Sequence, residues 1–368
     1  MAREHLKIGF VRRGYSRSGG AESYLTRLVR GLQSLGHEAE LITTSEWPED
    51  SEFNRIVRVA GLTPIGFADA VESARRALDC DVLMSLERVW QCDVMRAGDG
   101  IHRAWLQRRD LLARVRSVFN PKHRSVLKLE ESLYARGGAG RVIANSEMVK
   151  REIVSIYGCS QERVDVVYNG VPLEQFWSTT EQRAESRTNF GVSSDDIALL
   201  FVGSSWERKG LAVVVRALEQ LANRKLRLLI AGRGNERPYR SRYAHFLGEV
   251  ADVAALYRAG DIFVLPTVYD PFSNACLEAL ASGLPVITTR TNGFSEAIEE
   301  GVHGSVVDGT PDGVANAIRD WSAPQRRHSA RPLILERAAQ FDISRNVDRT
   351  LEVLLRAAAD KHIAIARR

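Results

Sequence analysis

Ala198-Leu199-Leu200-Phe201-Val202 passes directly into Gly203-Ser204-Ser205-Trp206-Glu207-Arg208-Lys209-Gly210. An apolar run without polar alternation predicts a strand covered on both faces, as in a parallel sheet. The loop then opens a helix, because Leu211, Val214, Val215, Leu218 and Leu221 recur at one-turn spacing and form a single apolar stripe. The chain does this twice. Leu6–Val11 leads into Arg13-Gly14-Tyr15-Ser16-Arg17-Ser18-Gly19-Gly20-Ala21-Glu22, and Leu25, Leu28, Val29, Leu32 and Leu35 repeat the same helical offsets. Two openings of one kind, far apart in one chain, predict two domains built alike.

Further short runs rich in Val, Ile and Leu are predicted as strands. In the first half they fall at Ala39–Thr43, Asp81–Leu86, Val94–Ala97, Val142–Asn145 and Val164–Val167. In the second half they fall at Arg227–Ala231, Ile262–Leu265, Pro285–Thr289 and Ser305–Val307. Helical segments separate them, which is the pattern of parallel sheets with helices on both faces. The fold class is therefore α/β, with two Rossmann-like domains. Turn chemistry at Asn169-Gly170-Val171-Pro172 marks the link and gives domains at 1–168 and 169–342. A last helical run with Val347, Leu351, Leu354, Leu355 and Ala358 has no strand behind it. Residues 343–368 are expected to form a helix that returns to pack on the first domain.

Composition narrows the class. The 368 residues are 44% hydrophobic and 26% charged with 28 Gly and 11 Pro, which excludes a disordered chain, a collagen-like fibre and a small disulfide scaffold. No uncharged apolar run approaches the ~20 residues that cross a bilayer. The opening Met-Ala-Arg-Glu-His lacks the apolar core of a secretion signal. Cys80, Cys92, Cys159 and Cys276 are far apart, so a reduced, cytoplasmic chain without structural zinc is expected. The net charge of +5 is local: eight Arg and Lys lie between His102 and Lys128 against a single acid, Asp110.

Three motifs carry chemistry. The loop with Gly19 and Gly20 follows a strand and precedes a helix, where backbone N–H groups hold anions, although a tight turn alone would have the same residues. In the second loop Arg208 and Lys209 stand side by side at a helix entrance. Two adjacent cations there favour a bound anion, a diphosphate held by charge-assisted bonds, over two solvated side chains. The third motif is Tyr269-Asp270-Pro271-Phe272-Ser273-Asn274-Ala275-Cys276-Leu277-Glu278, running on into Ala279-Leu280-Ala281-Ser282-Gly283-Leu284-Pro285-Val286. A strand ends near Pro266 and a helix starts near Ser273 or Asn274. Asp270 and Glu278 are thus carried to the carboxyl edge of a parallel sheet, where open α/β folds bind ligands. Carboxylates accept hydroxyls, so ribose or a sugar ring suits them; taken singly, Asp270 would read as a partner of the helix N-terminal dipole and Glu278 as an exposed helix charge. Asp79-Cys80-Asp81 precedes its strand and is read as a strand-entry turn, not a metal site.

Together these residues resemble the retaining glycosyltransferases of the GT-B fold, family 4. The shared parts are the Gly-Gly loop, Asn169-Gly170-Val171-Pro172, the Gly203–Gly210 loop with its Arg-Lys pair, and the Asp270 to Glu278 block. Within that family the chain looks most like the lipopolysaccharide core glucosyltransferase I group. Where the family motif begins with Glu, this chain has Asp270, one methylene shorter. The resemblance implies a first domain for the acceptor and a second for a UDP-sugar donor. It implies that Gly19 and Gly20 lie near the donor diphosphate and that Gly203 opens the donor loop. Arg208 and Lys209 would bind the diphosphate as UDP departs, and the backbone of Phe272, Ser273 and Asn274 would meet sugar or phosphate. Asp270 would hold sugar hydroxyls, Glu278 the ribose, and the segment around Val250 the uracil. No metal and no further cofactor are implied.

Asp99 and His102, in Arg96-Ala97-Gly98-Asp99-Gly100-Ile101-His102-Arg103, are candidates to orient the acceptor hydroxyl or take its proton, with a plain turn as the alternative. The basic segment 102–128 interleaves Arg with Trp105 and aliphatic residues. It suits an anionic membrane surface, or a helix with a solvated basic face. It lacks the stacking platform of a nucleic-acid site. The function expected is hexosyl transfer, glucose foremost, from a UDP-sugar to a lipid-linked saccharide such as the lipopolysaccharide inner core, by an enzyme peripheral on the cytoplasmic membrane. The rivals are a nucleotide-sugar epimerase and a non-catalytic lipid- or polysaccharide-binding module.

Overall fold

The computed structural model describes residues 5–15, 20–44, 47–48, 52–75, 78–109 and 119–366. The chain divides into two compact units, Met1–Asn169 together with Ile343–Arg368, and Gly170–Asp342.

The first unit is built on a seven-stranded parallel sheet, ordered β3-β2-β1-β4-β5-β6-β7. The strands are β1 (Lys7–Val11), β2 (Glu38–Thr43), β3 (Arg55–Arg58), β4 (Val82–Ser85), β5 (Cys92–Arg96), β6 (Ala139–Ala144) and β7 (Val164–Val166). The central strands are buried on both faces, as β4 shows with four buried residues in a row. The helix Gly20–Ser34 lays the predicted stripe of Leu25, Leu28, Val29 and Leu32 into this core with no exposure. Burying a Leu or Val side chain fully contributes about 1.5–3 kcal/mol, so this stripe fixes the helix against the sheet.

The last helix, Ile343–Ala366, closes the same core, as its lone apolar run requires. Val347, Leu351, Leu354 and Ala358 are buried among residues of β1, β4 and the helix Gly20–Ser34. Polar ties set its register: Lys361 Nζ lies 3.1 Å from the Asp81 carbonyl and 3.2 Å from Asp93 Oδ2, and Asn346 donates to the Tyr168 carbonyl at 2.6 Å. Asp81 meanwhile accepts from the Lys7 backbone N–H at 2.8 Å, which places Asp79-Cys80-Asp81 at the entry of β4.

The second unit holds a six-stranded parallel sheet, ordered β10-β9-β8-β11-β12-β13. Its strands are β8 (Ile197–Val202), β9 (Leu226–Ala231), β10 (Ala244–Gly248), β11 (Ile262–Leu265), β12 (Val286–Thr289) and β13 (Gly304–Val307). Two strands escaped the sequence reading, β3 and β10, and each lies at an edge of its sheet. Arg55-Ile56-Val57-Arg58 and Ala244-His245-Phe246-Leu247-Gly248 lack full burial, so neither shows the unbroken apolar run that marks a central strand. Among the described residues no helix is long and apolar enough to cross a membrane.

Candidate active site

In the second unit the loops after β8, β9, β10 and β11 all leave the carboxyl edge of one parallel sheet. Gly203 follows β8 directly at φ 130°, a conformation that glycine alone adopts readily. Trp206 anchors the loop from inside: it is buried, donates from Nε1 to the Gly203 carbonyl at 2.9 Å, and packs on Phe246 of β10. Arg208 is held by its backbone, whose carbonyl accepts from Val268 N–H at 2.9 Å and the Thr267 hydroxyl at 3.1 Å. Gly210, at φ 82°, then caps the helix Leu211–Leu221.

These constraints turn both basic side chains toward one carboxylate. Lys209 Nζ lies 3.2 Å from Asp270 Oδ2, with the two side chains only 12% and 10% exposed. Arg208 Nη1 lies 3.8 Å from the same oxygen and donates to the Tyr269 carbonyl. Three residues singled out in sequence therefore meet at one point, and the anion next to the adjacent cations is Asp270 itself.

Asp270 is fixed by its own backbone, which donates to the Thr291 carbonyl at 3.1 Å and accepts from Gly293 N–H at 2.9 Å. Asn292, fully buried, braces the following loop: its Oδ1 accepts from Ser273 and Phe294 N–H at 3.3 and 3.1 Å, and its amide donates to the Thr288 hydroxyl at 3.0 Å. Asn292 was not found in the sequence, where a single Asn near a Gly reads as a turn. The helix Asn274–Ala281 starts with Ser273 as N-cap. The Phe272 ring packs into the core against Phe294, so only its backbone is presented at this edge. Glu278 is half-buried and oriented by Tyr257, whose hydroxyl lies 3.1 Å from Glu278 Oε2. Burial, with Glu278 adding to it, pushes the Tyr257 phenol well above its ordinary range, so it stays a donor. Val250 follows β10 on the same edge, beside an Arg233–Glu249 ion pair of 2.7 Å that ties the loops after β9 and β10 together.

In the first unit, Gly19 lies outside the described residues and Gly20 is the first residue of its helix. Asp99 belongs to a charged cluster at the carboxyl edge that the sequence did not disclose. Arg12, just past β1, reaches Glu22 at 3.0 Å, Glu87 at 3.0 Å and Asp99 at 3.7 Å. Asp99 is the most exposed of the four, at 53%. Burial raises the carboxyl pKa of Glu87, Arg12 opposes the rise and Asp99 adds to it. His102 turns elsewhere: its Nε2 is 3.0 Å from His123 Nδ1, and its ring lies against Trp105. Burial pushes its pKa down to about 4, so the imidazole is neutral at neutral pH. The middle of the basic segment, 110–118, lies outside the described residues. At its ends, Arg108 pairs with Glu152 at 2.7 Å, Arg109 lies over Trp105 and Lys128 over Trp90.

Comparison with known proteins bears on the family and the fold. A family model described as Glycosyltransferase Family 4 matches residues 18–175, and one described as Glycosyl transferases group 1 matches residues 196–323. An uncharacterized glycosyltransferase of Methanocaldococcus jannaschii is 28% identical over 342 aligned residues, covering 82% of this chain and 86% of its own. Among solved structures, WaaG, a glycosyltransferase involved in lipopolysaccharide biosynthesis, superposes with a TM-score of 0.81 at 19% identity. That likeness covers 94% of this chain and 99% of WaaG. The Anabaena protein HepE in complex with UDP and glucose follows at 0.75 and 19%, over 95% and 99%. The chain belongs to family 4 of the glycosyltransferases and has the GT-B fold. It is a glycosyl-transferring enzyme, which sets aside the epimerase and the non-catalytic module.

Proposed function

We propose that this glycosyltransferase moves a hexose, glucose foremost, from a UDP-sugar to a lipid-linked saccharide such as the lipopolysaccharide inner core, with retention of anomeric configuration. The observation that carries the reading is the convergence of Lys209 and Arg208 on one point at the carboxyl edge of the second sheet. When the bond between the anomeric carbon and the β-phosphate oxygen breaks, negative charge gathers on the diphosphate. Two cations already gathered at that point stabilise it, so the reading assigns this task to them and not to a divalent ion. Asp270 then accepts sugar hydroxyls, Glu278 the ribose hydroxyls, and the Gly248–Val250 backbone the uracil. Asp99 orients the acceptor hydroxyl. With Asp270 and Glu278 both engaged by the donor, the acceptor proton passes to the departing phosphate on the same face of the sugar, which retains configuration. The basic segment 102–128 holds the enzyme on an anionic membrane at the cytoplasmic side. The neighbour with UDP and glucose bound supports the donor, and the neighbour from lipopolysaccharide synthesis supports the acceptor.

The test is thermal unfolding with UDP-glucose, UDP-galactose, UDP-N-acetylglucosamine and GDP-mannose, since a ligand of the native state raises the midpoint by mass action. UDP-glucose is expected to raise it most. A shift with GDP-mannose alone, or with none of the four, overturns the donor assignment. Transfer to lipopolysaccharide truncated at the inner-core heptose, with the product's anomeric configuration read by NMR, tests the rest.

A further inference from the structure

The loop that carries Asp99 is held from beneath by a carboxylate with no place in the chemistry above. Glu130 ends the helix Pro121–Glu130 and has no solvent exposure. Its Oε1 accepts from the His102 backbone N–H at 2.7 Å and from the Arg88 guanidinium at 2.9 Å. Its Oε2 accepts from the Tyr157 hydroxyl at 2.7 Å and the Arg103 backbone N–H at 3.3 Å. His102 and Arg103 open the helix His102–Gln107, whose N-cap is Ile101, a residue with no side-chain acceptor. Glu130, from 28 positions further along, therefore does what a Ser or Asp cap does locally.

Arg88 closes the other side. It also donates to the Gly100 carbonyl at 2.9 Å, and Gly100 stands in the left-handed region at φ 70°. The turn between Asp99 and His102 is thus bracketed, the Gly100 carbonyl on Arg88 and the His102 and Arg103 amides on Glu130. Upstream, Asn145 donates to the Gly98 carbonyl at 3.2 Å. Within this pinned loop the Asp99 side chain is half-exposed, its carboxylate 3.7 Å from Arg12 Nη1.

Stability alone does not account for the pair, because desolvation offsets most of the attraction within a buried ion pair. A fully bonded one does permit a single geometry, since any slip of the loop leaves buried polar groups unpaired. We propose that Glu130, together with Arg88, is a positioning residue that fixes the Gly98–Arg103 backbone so that Asp99 meets the acceptor hydroxyl in one orientation. The inference rests on the acceptor-side role proposed for Asp99.

Glu130→Gln keeps the shape but turns one acceptor atom into a donor, and Arg88→Lys keeps the charge but gives up the two-point grip. Both are measured as the full chain for UDP affinity by calorimetry and for transfer from UDP-glucose to lipopolysaccharide truncated at the inner-core heptose. The expected result is unchanged UDP affinity, an unchanged acceptor KM and a kcat lowered about ten- to a hundredfold, the scale of a misplaced reacting group. The loss in Glu130→Gln is expected to vanish when Asp99 is already Asn, because the two act through one another. A wild-type kcat in both variants, or a loss that adds fully to Asp99→Asn, overturns the inference. If the wild-type chain makes no product with this acceptor, the function reading is what fails, and hydrogen exchange at the His102 amide decides the anchoring. Faster exchange in Glu130→Gln supports it, and an unchanged rate overturns it.

Discussion

Lys209 Nζ donates to Asp270 Oδ2 across 3.2 Å, joining two residues 61 positions apart in the chain. The pair sets two demands against each other. Lys209 is assigned to the diphosphate and Asp270 to the sugar, yet each is the other's partner. A diphosphate must compete with the Asp270 carboxylate for the same ammonium group. Replacing Asp270 by Asn removes the competing charge while leaving the shape. UDP is then expected to bind about three- to tenfold tighter, the worth of one charge-assisted contact of about 1 kcal/mol, while transfer falls because the sugar loses a charged acceptor and meets a donor NH2 in place of one oxygen. Calorimetry with UDP checks the first half and UDP release the second. Weaker UDP binding would mean that Asp270 orients Lys209 and does not compete with the ligand.

Lys209→Ala tests the cation directly. If Lys209 meets charge that appears only as UDP departs, turnover falls about a hundred- to a thousandfold, the usual loss on removing one preorganised donor. The acceptor KM stays near its wild-type value. Steady-state kinetics with each substrate varied separates these terms. Near-normal kcat would sink the assignment.

The legibility of this chain in its sequence follows from where its information lies. Central strands such as β4 and β11 are buried on both faces, so they appear as apolar runs, and the two unforeseen strands are edges with little apolar signal. Arg208, Lys209, Asp270 and Glu278 were legible because their loops carry contiguous motifs at strand ends. The Arg12 cluster was not: Glu22 and Glu87 come from separate elements and look like ordinary surface charges until the sheet brings them to Arg12. Asn292 and Glu130 were hidden for the same reason, since each acts on the backbone of a distant segment. His102 was legible as a polar group at a strand end, but the ring faces His123, a partner that no spacing rule supplies.

The His102 environment gives a pH prediction. Burial lowers its pKa to about 4, with Arg88, His123 and Lys122 pressing the same way and Glu130 opposing. An unfolded histidine titrates near 6.5. Between those values the unfolded chain binds a proton that the folded chain refuses, so stability rises with pH through that window. The contribution is fully present above about pH 6.5 and lost as pH falls toward 4. His102→Gln is expected to flatten this part of the stability profile, measured by thermal unfolding from pH 4 to 8. In NMR the His102 ring is expected to remain neutral at pH 6. A His102 titration near 6.5 would contradict the burial.

Gly31 offers a test of how the last helix seats. A methyl group added there would stand 2.5 Å from Val347 Cγ2, and Val347 is itself buried. The two helices approach so closely because this position has no side chain. Gly31→Ala gains about 1 kcal/mol in helix propensity, but overpacking in a filled core costs about 1–3 kcal/mol. The net loss is expected to lower the unfolding midpoint by about 2–4 °C, the scale of 1 kcal/mol in a unit of this size. If the clash is the cause, Gly31→Ala does less harm when Val347 is already Ala, and the double-mutant cycle shows that coupling. An equal loss in both backgrounds would place the last helix further from Gly31 than the close contact requires.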